Sequence, residues 1–215
     1  MTRSGIGKRR TAALRDGGES YTQRRNEIIA AGAEVFRERG LEASSLRDVA
    51  AKLGTDRASL YYYVASKNEL FQLVTQRAVE EVVVSAEAVA AEETDPVARL
   101  RKLVVTTVQK YEDHYPYMFV YIQEDMNRLG TDTLDEVWAR TMVQLGHRFD
   151  EALLRVLKDG MDSGVFSIAH PRIALNSVIG AVNWTHRWFR PGRDLSGAEV
   201  GEHIATTLLN GLVAH

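Results

Sequence analysis

The chain has no cysteine, which excludes disulfides, a thiolate nucleophile and cysteine metal sites. No apolar run reaches the ~18 residues that a membrane span needs; the longest Val/Ala-rich stretch, Val82 to Ala91, is broken by Ser85 and Glu87. The basic residues Arg3, Lys8, Arg9 and Arg10 lead into no apolar segment, so no secretory signal is expected and the cytoplasm is the expected location. Prolines are few: Pro96, Pro116, Pro171 and Pro191 each stand where a helical pattern starts or stops. Sustained period-two alternation is missing, so no sheet is expected, and there is no internal repeat. A Gly-rich phosphate loop, a nucleophile elbow and a His-Glu-x-x-His pattern are all missing too. The histidines His114, His147, His170, His186, His203 and His215 are scattered one per segment. Glu124 and Asp125, as neighbours on a helix, point roughly 100° apart and form no shared pair. No catalytic residue, cofactor or metal is therefore expected.

What is present is an ordinary globular composition, 45% hydrophobic and 26% charged over 215 residues. The net charge of −2 hides an asymmetry. Residues 1–67 carry 13 Lys/Arg against 8 Asp/Glu, whereas residues 68–215 carry 14 against 21. A basic first third on an acidic body points to a polyanionic partner for the N-terminal part.

Residues 1–20 show no periodicity and read as a disordered basic arm, either a minor-groove or backbone contact to DNA or a solvated tail. From there the pattern is helical almost throughout. Three helices come first, over Thr22–Arg39, from Ser44 or Ser45 to Gly54, and over Arg57–Val64. Ser45 with Asp48 reads as a capping box. Longer helices follow over Ser66–Ala91, Pro96–His114, Pro116–Leu129, Thr131–Gly160, Pro171–Phe189 and Ser196–Leu212. The fold class is all-α: a three-helix head over residues 21–66 and a six-helix body over 67–215.

The head has the spacing of a helix-turn-helix. Leu46–Leu53 is the first helix, Gly54-Thr55-Asp56 the turn, and Arg57–Val64 the second. The second helix turns Arg57, Ser59, Tyr62 and Tyr63 outward. Hydroxyls bond phosphates and Arg pairs with guanine, so DNA is the natural cover for this face. Tyr61 fits better as half-buried between head and body.

Phe36-Arg37-Glu38-Arg39-Gly40-Leu41, Ser44–Ala50, Ala58–Val64 and Ser66-Lys67-Asn68-Glu69-Leu70 together resemble the N-terminal signature of TetR-type repressors. The resemblance covers about the first third of the chain. It implies an all-helical homodimer that binds double-stranded DNA and is controlled by a small molecule in its body. It places Thr55, Arg57, Ser59, Tyr61, Tyr62 and Tyr63 on the base- and phosphate-contacting segment, and Ser45 and Lys67 on phosphate contacts. Arg47 joins this DNA-binding set, with a surface pair to Asp48 or Glu42 as its alternative. Repression is the expected mode. The alternatives are a helical metal- or small-molecule-binding enzyme and an adaptor, either of which would only retain the head.

In the body, Val200, Ile204, Leu208 and Leu212 recur every four residues, widened by Ala205 and Leu209. The resemblance makes this stripe partly a dimer surface, with Gly180 and Ala181 allowing close approach. Aromatic and Met side chains crowd the middle helices, and Tyr111, Met118, Tyr121, Trp138, Met142 and Trp184 are the candidate effector contacts. Trp184–Gly192, with Leu195 and Glu199, and Tyr121–Asp125 are similar to the TetR-type subgroup that controls fatty-acid and sterol breakdown. That similarity implies an acyl-CoA or lipid-like effector.

Overall fold

The computed structural model describes residues 19–123 and 136–212. Among the described residues there are ten helices and no strand. They are α1 (Glu19–Arg39), α2 (Leu46–Lys52), α3 (Arg57–Leu60), α4 (Lys67–Ala90), α5 (Pro96–Asp113), α6 (Tyr117–Gln123), α7 (Glu136–Asp162), α8 (Pro171–Asn183), α9 (Thr185–Trp188) and α10 (Gly197–Leu212). Residues 1–18 of the expected arm, the expected helix end near Leu129 and the start at Thr131 lie outside the described residues, as do Glu124 and Asp125, whereas Glu19 and Ser20, expected in the arm, open α1.

Helix starts follow their caps. Ser45 and Asp48 form a reciprocal capping box on α2, and the Ser66 side chain accepts from the Glu69 N–H at the head of α4. Asp95 caps α5 ahead of Pro96 at its first turn. Gly40 and Gly54 hold φ of 76° and 61°, which β-carbon-bearing residues rarely adopt, so α1 and α2 stop there.

Two expected helices end differently. The third head helix is regular only to Leu60 and then tightens, with Tyr63 N–H on Leu60 O at 2.9 Å. The expected Pro171–Phe189 helix breaks at Trp184 into α8 and α9. There the buried Thr185 hydroxyl donates to Val182 O at 2.7 Å, and His186 Nδ1 lies 2.7 Å from Asn183 O. Side chains take carbonyls that a continuing helix would use. Phe189 then turns inward to Phe119, ring centres 6.4 Å apart.

Helix α4 runs without interruption from the head into the body. Its N-terminal end packs on α1, where a β-carbon on Gly32 would come within 2.7 Å of Leu70. Phe36 of α1, Phe71 of α4 and Trp138 of α7 stack edge to face at 6.1 and 5.7 Å and join head to body. At the other end of α4, the buried Arg99 donates to Ala90 O at 3.3 Å and pairs with Asp159 at 2.8 Å, tying α4, α5 and α7 together. Helix α10 lies closely along α5. A β-carbon on Gly201 would meet Val105 Cα at 2.7 Å, and the Gly197 N–H donates to Glu112 at 2.7 Å.

Candidate nucleic-acid interface and effector cavity

The outer face of the head is built on α2 and α3. Asp56 caps α3, accepting from the Ser59 N–H at 2.9 Å and the Ser59 hydroxyl at 2.7 Å. These bonds hold its carboxyl below the usual aspartate range. Asp56 was placed only in the turn by its sequence position. An Asp directly before a helical run is a readable cap signal. Ser45 donates its hydroxyl to Asp48 at 2.6 Å, and Asp48 also takes Arg39 at 2.6 Å. Ser45 is therefore engaged in its own cap. Asp48 is already taken by Arg39 and Ser45, so it does not pair with Arg47.

Arg47 and Arg57 are exposed and form no ion pair among the described residues. The guanidinium of Arg57 lies 5.2 Å from the Tyr61 ring centre and donates to the Tyr61 hydroxyl. Tyr61 and Tyr63 are half-buried against the core. Tyr62 meets Tyr21 and Tyr63 edge to face, at 5.6 and 5.1 Å, and Tyr63 stacks on Tyr21 at 5.0 Å. The two tyrosines thus lean on the start of α1, a contact with no signature in the sequence. Thr55 is half-buried in the turn and Ser59 is exposed. Lys67 donates to Leu41 O at 2.8 Å and Glu42 O at 3.3 Å, which ties it to the loop before α2 and leaves one ammonium donor.

In the body, a cavity of about 140 Å³ lies between α4, α5, α6, α7 and α8. Tyr111, Met118 and Tyr121 line it, together with Val79, Phe149, Asp150 and Asn183. Tyr111 donates to Asn183 Oδ1 at 2.7 Å. Burial pushes the Tyr111 phenol well up and raises Tyr121, with the Asp150 charge adding to the latter; both remain neutral donors. Asp150 is also raised by burial, against the lowering effect of His147 and Arg172.

The other three candidate contacts lie elsewhere. Trp138 is at the head–body junction against Phe71. Met142 is 2% exposed within the core and outside the cavity lining. Trp184 is 60% exposed, with the Arg187 guanidinium 5.6 Å from its ring centre. Asp150 and Asn183 were missed. Asp150 follows Met142 and Gly146 by eight and four residues, and a charge on that apolar stripe was the available signal.

The stripe on α10 divides. Val200, Ala205 and Leu209 are buried, whereas Ile204, Leu208 and Leu212 line two surface grooves of about 370 and 380 Å³. Trp188 and Leu195 border one groove and Ile173 the other. Nothing lies near the β-carbon position of Gly180 on the same side.

Residues 93–212 match the tetracyclin repressor-like C-terminal domain, and residues 28–74 match the bacterial regulatory proteins of the tetR family. The chain belongs to the TetR family. The TetR-family helix-turn-helix match spans every DNA-binding candidate from Ser45 to Lys67. The chain is 26% identical over 193 residues to the transcriptional repressor KstR2 of Mycobacterium tuberculosis H37Rv, covering 88% of this chain and 92% of that protein. The structure of the M. tuberculosis ketosteroid transcriptional regulator KstR2 superposes with a TM-score of 0.80 at 23% identity, covering 89% and 96% of the two chains. AibR, in complex with isovaleryl coenzyme A and operator DNA, has a TM-score of 0.69 at 19% identity, over 88% and 98%. TetR-family proteins are transcription regulators that bind DNA as homodimers and respond to small molecules, and this chain is a DNA-binding transcriptional regulator of that kind. No helix among its described residues is long and apolar enough to cross a membrane.

Proposed function

We propose that this TetR-family protein is a cytoplasmic repressor, released from a pseudo-palindromic operator when an acyl-CoA-like effector enters the cavity between α4 and α8. Residues 21–66 form the reading head and residues 67–215 the effector and dimer body. The observation that carries this reading is the position of α6. Its Met118, Tyr121 and Ile122 line the cavity. Just before it, Tyr115 lies under the Arg37 guanidinium of α1, 5.7 Å from the ring centre. A change of cavity volume therefore reaches the head through one short helix.

Arg57, Tyr62 and Tyr63 read bases, while Arg47, Thr55, Ser59 and the α2 start bearing Ser45 contact phosphates. Lys67 holds the loop that precedes α2. The apolar grooves of α8–α10, open at Gly180, are the dimer face, and two-fold symmetry sets half-sites at least one turn apart, about 34 Å. An acyl-CoA-like effector is supported by AibR, a fold relative whose structure holds isovaleryl coenzyme A and operator DNA. The exposed Trp184 with Arg187 stacked on it offers a surface for an adenine and its phosphates.

The test is fluorescence anisotropy of the protein on the DNA flanking its own gene, at two salt concentrations, with and without acyl-CoAs of several chain lengths. Tight, salt-dependent, sequence-specific binding that an acyl-CoA releases is the expected result. Specific binding that no acyl-CoA alters removes the effector class and leaves the regulator.

A further inference from the structure

The cavity is small, and two of its polar side chains make no hydrogen bond among the described residues. Its volume of about 140 Å³ is near the size that holds a benzene ring, and far below the ~300 Å³ at which drug-sized sites begin. The walls are mostly aliphatic and aromatic, from Val79, Val83, Met118 and Phe149. Four polar side chains interrupt them. Asp150 is partly buried and has no hydrogen bond or ion pair among the described residues. The Tyr121 hydroxyl likewise has no hydrogen-bond partner among them. The Tyr111 hydroxyl is spent on the Asn183 carbonyl oxygen, which fixes the amide and leaves its N–H₂ as a donor.

Polar side chains that line an apolar space without protein partners are open to a guest that takes over the hydrogen bonds of the water it displaces. An acceptor and a donor lining one small apolar space suit a neutral group that can both donate and accept. A hydroxyl donates one hydrogen bond and accepts two. A carboxylate guest is repelled by Asp150. A purely aliphatic guest leaves Asp150 and Tyr121 unsatisfied.

We infer that the buried end of the effector is a short aliphatic segment bearing a hydroxyl, donated to the Asp150 carboxylate and accepting from the Tyr121 hydroxyl. This rests on the cavity being the effector site. It adds to that reading the functional group recognised and a limit of roughly six non-hydrogen atoms at the buried end. Sequence position alone does not reveal it, because Tyr121, Asp150 and Asn183 come from three helices and only the packing brings them together.

The test uses isothermal titration of the full chain with two matched pairs. One pair is 3-hydroxybutyryl-CoA and butyryl-CoA; the other, without coenzyme, is phenol and toluene. The hydroxylated member of each pair is expected to bind about ten- to a hundredfold more tightly, the range of a hydrogen bond to a charged group. Asp150→Leu is expected to bring that ratio to within about twofold. Asp150→Asn, which keeps the shape, is expected to give an intermediate ratio and guards against a folding defect in the leucine variant. Equal affinities within both pairs, no binding of any of the four, or a ratio unchanged in both variants overturns the inference. Failure of both CoA esters with Asp150-dependent discrimination of phenol from toluene leaves the hydroxyl site standing and removes the acyl-CoA reading. Val83→Trp, which fills the cavity, is expected to abolish phenol binding; phenol bound undiminished by that variant places its site elsewhere and overturns the inference.

Discussion

At the residue scale, the cations of the head divide by what they already hold. Lys67 is committed to the Leu41 and Glu42 carbonyls, whereas Arg47 is exposed and without an ion pair among the described residues. Lys67→Ala is expected to cost about 1 kcal/mol of stability, visible as a lower Tm, whereas Arg47→Ala leaves Tm unchanged. The arginine variant instead flattens the dependence of log K on log salt by about one. Arg57→Ala and Tyr62→Ala are expected to weaken operator binding by about 1–3 kcal/mol and to relax base preference, read by competition with single-base operator variants. Ser45→Ala should lose about 1 kcal/mol through the cap. Asp56 adds a pH term. Its carboxyl is held below its ordinary value by Ser59, so its contribution is full above that ordinary value and is lost as pH falls through the lowered one. An acid titration of head stability should lose that component in Asp56→Asn. The capping box was legible because it is local: Ser45 and Asp48 are three residues apart. The Arg39–Asp48 pair and the lean of Tyr62 on Tyr21 were not, since each joins different helices.

At the element scale, proline, glycine and cap residues announce helix ends, and the starts of α2, α4, α5 and α8 follow them. The break at Trp184 carries no such mark. It comes from the Thr185 hydroxyl and His186 ring binding carbonyls of the preceding turn, and from Phe189 turning in to Phe119. Half of the candidate effector contacts converge on the cavity; of the rest, Met142 turns into the core, Trp184 faces outward and Trp138 is separated by helix length. Trp138 precedes Phe149 by eleven residues of α7, about 16 Å along the axis, so one reaches the head and the other the cavity. The glycines of α8 and α10 face different neighbours. Gly201→Ala is expected to cost about 1–3 kcal/mol, because its β-carbon would press on the α5 backbone at Val105. Gly180→Trp has open space and is expected to leave the monomer folded while weakening the dimer. Analytical ultracentrifugation beside a thermal melt separates the two outcomes.

At the scale of the whole molecule, head and body share α4 and the Phe36–Phe71–Trp138 stack, while α6 faces the cavity and sits beside Arg37. Tyr115→Leu removes the aromatic face under Arg37 while leaving the cavity lining intact. It is expected to keep effector affinity within about threefold and to shrink the change in operator affinity that the effector causes, since coupling is a free energy between sites. Titrating effector with and without DNA measures it; undiminished coupling would remove this contact from the route. The head and the helical class were visible in the chain because a helix-turn-helix packs its signal into some twenty consecutive residues. The cavity was only half visible because five helices build it.

The anchoring of α4 by Arg99 sets the scale of motion available to the head. Twenty-four helical residues make a rod about 36 Å long. Its Ala90 end is pinned by a guanidinium that also holds Asp159, and its other end begins at Ser66, directly beside the reading segment. With the fulcrum at Ala90, a tilt of about 5° swings the Ser66 end by about 3 Å, nearly the 3.4 Å rise of one base pair. Were an effector to tilt α4 about that end, a slight shift near Val79 and Val83 would be geared up to a whole step of the double helix at the head, and two such arms in a dimer would leave register together.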